Sequence, residues 1–200
     1  MPKSYSQFDY DDLKNLGLNV AETPFVYQLK YSTVVPSDFL KMAIERNLRR
    51  KMRSEKAKSE LLISPVVTEL EEINQGRFAC YSGYKFNVDP QKGLGGFCDF
   101  ILSFDAKSLN IEAPAFLIVE SKNENIEEGI PQCIAEMYAA QLFNHRRAKT
   151  QEVIYGTVTS GMAWQFMKLT GSNIVLDSEI YYLSQLPHLI GILQIIVDAK

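Results

Sequence analysis

Pro114-Ala-Phe-Leu-Ile-Val-Glu-Ser-Lys122 is the stretch on which the fold turns. Ala115 to Val119 is a short, β-branched, apolar run bounded by Pro114 and the polar cluster Asn123-Glu124-Asn125. That pattern predicts a strand covered on both faces rather than a helix. Side chains alternate along an extended chain, so Phe116, Ile118, Glu120 and Lys122 are expected on one face and Leu117, Val119 and Ser121 on the other. Glu120 and Lys122 then stand roughly 7 Å apart at the backbone. A buried strand that ends in two charges needs a physical reason.

One reason is a salt bridge at a strand end. The other is chemistry: a carboxylate holds a divalent cation, and an ammonium beside it steadies phosphoryl charge, the pairing that suits metal-assisted phosphodiester hydrolysis. A hard cation wants several oxygens, so a second acid is expected from an adjacent strand. Gly95-Gly96 breaks the preceding loop, and Phe97-Cys98-Asp99-Phe100-Ile101-Leu102 reads as that strand, with Asp99 on the face of Phe97 and Ile101. Asp99 is either a ligand or a cap on the glycine loop, since a charge so placed is rarely buried unless paired or metal-bound.

Asp99, about twenty residues, then Glu120-Ser121-Lys122 resembles the PD-(D/E)xK nucleases of the restriction-endonuclease-like fold. Gln132, followed by Tyr138 on the next predicted helix (Glu127 to His145), is similar to the glutamine that several branches of that superfamily carry. Ser54 to Pro65 resembles the first core helix of the N-terminal nuclease domains of type I restriction motor subunits. The resemblance covers roughly residues 50–160 in the order helix, strand, strand, strand, helix, strand. Cys98 departs from it, standing where the motif has proline, and Asp89-Pro90 is a reversed decoy in a loop. The resemblance implies an α/β fold with a mixed central sheet flanked by helices. It also implies Mg²⁺ or Mn²⁺ on Asp99, Glu120 and the Ser121 carbonyl, with Lys122 orienting or activating water and Gln132 supporting Lys122 or a phosphate. A helix acid holds a second metal or the water network: the spacing to Pro65 favours Glu55, and proximity to Leu61–Ile63 favours Glu60. The implied partner is nucleic acid, with DNA favoured. The rival is the same fold kept as a catalytically silent nucleic-acid or protein interaction module.

The rest of the chain is read as support. Its 200 residues, 46% apolar and 22% charged, suffice for one full core. Residues 1–50 are expected as a helical extension packed on the core, and 51–200 as the core with a C-terminal hairpin and helix. No apolar run approaches eighteen residues and no secretory leader is visible, so a cytoplasmic protein without membrane contact is expected. Cys80, Cys98 and Cys133 lack paired spacing and sit in apolar contexts, which predicts buried free thiols. A helix is expected from Ser37 to about Met52, and Phe25–Tyr31 as a strand. From Lys41 to Lys58 there are eight Lys and Arg against two Glu, on a chain of net charge −3. That asymmetry is either a solvated helix face or a track for a phosphate backbone. Trp164 is expected in the core or hairpin. The apolar helix Pro187–Val197 would suit docking against a second copy or another protein.

Overall fold

The computed structural model describes residues 3–149 and 151–199. In chain order the regular elements are α1 (Tyr10–Asn15), β1 (Asn19–Glu22), α2 (Asp38–Leu48), α3 (Glu55–Lys58), α4 (Ser64–Asn74), β2 (Ala79–Lys85), β3 (Phe97–Ser103) and β4 (Ala115–Ser121). They continue with α5 (Ile130–Arg146), β5 (Ile154–Thr159), β6 (Ala163–Thr170), β7 (Asn173–Leu176), β8 (Tyr181–Tyr182) and α6 (Leu186–Asp198). The eight strands form one mixed sheet in the order β1-β7-β6-β5-β4-β3-β2, with β8 also on β6. Neighbours run antiparallel except β4 with β5 and β1 with β7. The chain is therefore an α/β protein with a mixed central sheet between helical layers, consistent with the restriction-endonuclease-like order expected from sequence.

Two apolar layers explain the arrangement. Leu40 and Ile44 of α2, Val66, Val67 and Leu70 of α4, and Leu189 and Leu193 of α6 cover one face of the sheet, against Phe100, Leu117 and Phe166. Leu13 of α1 and Ile134 and Met137 of α5 cover the other, against Ile101, Ile118 and Met167. Burying the sheet on both faces is what makes β4 read as an unbroken apolar run, since every one of its seven residues is buried. The apolar residues of α6 are spent in this core, so they supply no docking face. Trp164 is likewise fully buried, its Nε1–H donating to the Gly161 carbonyl at 3.3 Å. The three cysteines are free thiols, Cys98 and Cys133 buried and Cys80 half-buried.

Local differences from the sequence reading have identifiable causes. Strict alternation along β4 fails at Phe116, where a bulge shifts the register between Leu102/Ser103 and Leu117/Ala115, so Phe116 and Leu117 both join the α4–α6 side. Beyond the bulge the expected alternation holds, with Ile118 turned to the α5 side. Phe25–Tyr31 is not a strand. Val26–Leu29 is a 3₁₀ turn held by Asp177, whose Oδ2 accepts from the Phe25 and Val26 N–H groups at 3.2 and 2.7 Å. The same buried aspartate follows β7 directly, and the second arm of the expected C-terminal hairpin is split into the two short strands β7 and β8. Residues 1–50 are not wholly helical either, because Asn19–Glu22 add an edge strand beside β7.

Candidate active site at the end of the central strand

The helix before the site is a continuous run from Glu55 to Asn74, with a π turn at Ser59–Ile63 between α3 and α4. Ser54 caps it by accepting from the Ala57 N–H at 3.2 Å. Pro65, which lacks an N–H, falls just after the wide turn, where a regular ladder is already interrupted. Lys58 then reaches across to donate to the Asn123 carbonyl, fixing α3 beside the end of β4.

Strand register sets the acids. Phe100 pairs with Val119 and Ile101 with Ile118, so Asp99 stands across from Glu120 one step further on. Asp99 Oδ2 accepts from the Ser121 N–H at 2.7 Å, which locks the two strand ends together. Lys122 Nζ donates to Glu120 Oε1 at 2.6 Å and to Gln132 Oε1 at 3.0 Å. Gln132 is near the start of α5, and its Nε2 donates in turn to Glu136 Oε1 at 3.0 Å, one helical turn along. Asp99, Glu120, Lys122 and Gln132 are thus gathered on the α5 side of the sheet. Glu136, fully buried, extends the chain of contacts and was missed in the sequence, where it sits among apolar α5 residues. Its signal was there: it falls four residues after Gln132, on the same helix face.

The helix acids separate. Glu55 raises the proton affinity of both Glu120 and Lys122, which puts it within electrostatic reach of the site. Glu60 is exposed and pairs with Lys56 at 3.6 Å. Asp89, the decoy, faces Arg146 at 3.5 Å at the edge of its loop.

Burial dominates the electrostatics. It pushes the Glu120 carboxyl up to about 8, with Asp99 adding to the effect and Lys122 opposing it. Burial also raises Asp99, against the pull of the Ser121 N–H and Lys122, and it lifts Glu136 well above the usual carboxylate range. For Lys122 burial works downward, yet Glu120, Glu55 and Asp99 outweigh it and the ammonium is held more tightly than in water. Asp99, Glu120, Glu136 and Glu55 thus crowd around one ammonium, and burial with mutual repulsion makes the three strand- and α5-borne carboxyls hold their protons more tightly than in water. Among the described residues three buried side-chain oxygens make no hydrogen bond: Ser121 Oγ, Asn123 Oδ1 and Glu136 Oε2. All three belong to this strand end or to the helix facing it, and orphaned polar atoms call for a catalytic role, water or an ion.

Packing fixes the lysine. A Cβ on Gly129 would lie 2.7 Å from Val158 Cγ1 and 2.9 Å from Lys122 Cε and Cγ. Only glycine lets α5 start this close to the lysine stem. Gly129→Ala is expected to push the Lys122 stem aside and, by crowding buried Val158, to cost about 1–3 kcal/mol of stability. A melting temperature equal to that of the wild type would show that the site has room for the methyl group.

Among the described residues no group of three or more His, Cys, Asp or Glu side chains is assembled as a metal cage, and no helix is long and apolar enough to cross a membrane. No known protein family matches the chain, and no curated protein matches it in sequence.

Proposed function

We propose that the chain is a metal-dependent nuclease of the PD-(D/E)xK kind, hydrolysing phosphodiester bonds of nucleic acid, with DNA favoured. One observation carries the reading: Asp99 and Glu120 stand across from each other at two adjacent strand ends, with Lys122 bonded to Glu120. The donors fit a hard cation. Among the described residues no hydrogen bond takes Asp99 Oδ1 or Glu120 Oε2, and the surplus of carboxyl groups is what a divalent charge would relieve. Two carboxylates and a backbone carbonyl suit Mg²⁺ or Mn²⁺, which keep several waters and take further oxygens from a phosphate. Asp99, Glu120 and the Ser121 carbonyl would hold it, and when bound it would supply Lewis-acid neutralisation of the phosphoryl charge.

The chain's own residues do the rest. Lys122 serves as a hydrogen-bond donor and a positive charge, its ammonium favoured by Glu120, Glu55 and Asp99. Two of its three N–H groups are committed to Glu120 and Gln132, and the third remains to orient the attacking water or a phosphate oxygen. Gln132 is itself anchored on Glu136, which turns the amide oxygen toward Lys122. Glu55 adds a carboxylate at the rim, where it can order the water network.

Calorimetry tests the assignment without relying on turnover. Mn²⁺ is expected to bind the wild type, and Asp99→Asn is expected to weaken that binding at least tenfold. Equal binding by both proteins would overturn the placement of the cation. A wild type that binds nucleic acid without ever cutting it would favour the silent module instead, with Lys122–Glu120 as an internal ion pair.

A further inference from the structure

The basic segment before the site is unevenly used. Lys41, Arg49 and Lys56 are paired with Asp38, Glu45 and Glu60. Among the described residues Arg46, Arg50, Lys51 and Arg53 make no ion pair and no side-chain hydrogen bond, and all four are exposed. Phe39, Met42 and Arg46 lie on one face of α2 at spacings of three and four residues, and Arg50 follows just past the end of the helix. Both are left in solvent, Phe39 at 74% exposure and Met42 at 58%. With Ala43 and Asn47 these four line a depression of about 470 Å³.

The segment points at the site. Asn47 Nδ2 donates to the Leu61 carbonyl at 2.8 Å, which ties the C-terminal end of α2 to the π turn, and Lys58 binds Asn123 just past Lys122. The other flank has the opposite sign: Glu22, Glu124, Glu127 and Glu128 line a depression of about 710 Å³ beside the segment that follows Lys122. A polyanion is therefore favoured on the α2 side over this acidic flank.

We infer that the exposed depression at the end of α2, Phe39, Met42 and Arg46 with Arg50 just beyond the helix, binds single-stranded nucleic acid, Phe39 stacking a base and the arginines taking phosphates. The inference deepens the nuclease reading and rests on it for the destination of the strand. Unpaired guanidinium groups interleaved with an exposed aromatic match how unpaired strands are bound, because every base offers a face to stack once it has left the duplex. A duplex offers the arginines its phosphates but withholds those faces.

Fluorescence anisotropy in EDTA, with labelled 15-mer single strands of DNA and RNA and the matching duplex, separates the alternatives. Single strands are expected to bind at least tenfold more tightly than duplex. Phe39→Ala should lose roughly tenfold on single strands with little change on duplex, the scale of one stacked base. Arg46→Ala with Arg50→Ala should weaken both and lower the salt slope by about 1.4, two phosphate contacts on a single strand. All three residues are exposed, so melting curves of the variants should overlay the wild type. Duplex binding as tight as single-strand binding, or a Phe39→Ala protein with unaltered affinity, would overturn the inference. So would failure of every oligonucleotide while a polyglutamate peptide binds this face, the result for an acidic protein partner. Mn²⁺-dependent cleavage is read separately in the same proteins: cleavage without single-strand preference leaves the nuclease reading standing, and preference without cleavage leaves the surface standing.

Discussion

Replacing Lys122 by alanine is expected to slow Mn²⁺-dependent cleavage roughly 10²- to 10⁴-fold, the usual effect of one positioned electrostatic or proton-handling group. Nucleic-acid affinity should barely move, because on the proposed reading the arginines and the metal would supply the phosphate binding. The stability of this variant carries as much information as its rate. Lys122 shields Glu120, which is 2% exposed, and breaking a buried ion pair ordinarily costs about 3–5 kcal/mol. Glu120 has an escape, because its carboxyl is already raised to about 8 and rises further once the ammonium is gone. At pH 6 it is already protonated in the wild type and the melting temperature should fall little; at pH 9 the wild-type carboxyl is charged, the variant must take up a proton or hold the charge unpaired, and the fall should be larger. A variant that melts much earlier at both pH values, from a wild type that never cuts, would make the Lys122–Glu120 pair a structural device only.

The second large effect concerns Glu120 itself. The folded chain holds this proton more tightly than the unfolded chain does, so protonation favours the fold. The stabilisation is complete below the ordinary value of 4.5 and is lost as pH rises to about 8. Each pKa unit is worth about 1.4 kcal/mol, so metal-free protein should lose roughly 3–5 kcal/mol across that window if the whole shift is expressed. Glu120→Gln keeps the shape and removes the charge. It should flatten this part of the profile, melt later than the wild type above pH 8, and abolish cleavage. Mn²⁺ should restore wild-type stability at high pH without helping the variant. Urea titrations from pH 5 to 9 decide it: parallel profiles for the two proteins would show that Glu120 is not a buried carboxyl under strain.

The sheet and the site differ in how far local sequence reaches. β3, β4, α5 and β5 are each specified by their own residues: a β-branched run bounded by turn formers, or an apolar helical stripe. Their order then brings Asp99, Glu120, Lys122 and Gln132 to one place. Features set by distant partners escape such a reading. The turn at Val26–Leu29 exists because Asp177, far along the chain, supplies its acceptor. Asn19–Glu22 has no strand pattern of its own and pairs only because β7 offers an open edge. The β4 bulge depends on how Ser103 meets Ala115, which alternation alone does not encode. Glu136 was hidden by its neighbours: one acid in an apolar helix face reads as solvated until the strand opposite is known to carry Lys122 and Glu120.

The pairing of β1 with β7 also places a clock on the making of the molecule. Residues 19–22 leave the ribosome well before their partners at 173–176 are translated. At 5–20 residues per second the wait is on the order of 10 s. During that time the edge of the sheet does not exist and the first segment has nothing to dock on. The nascent chain can build the β2–β3–β4 antiparallel unit early, but β1 has no place in the strand order until residues 173–176 have been made, so completion of the sheet waits on them. A protein of this plan is exposed longest at its N-terminal segment, and that is where a chaperone would be expected to hold it.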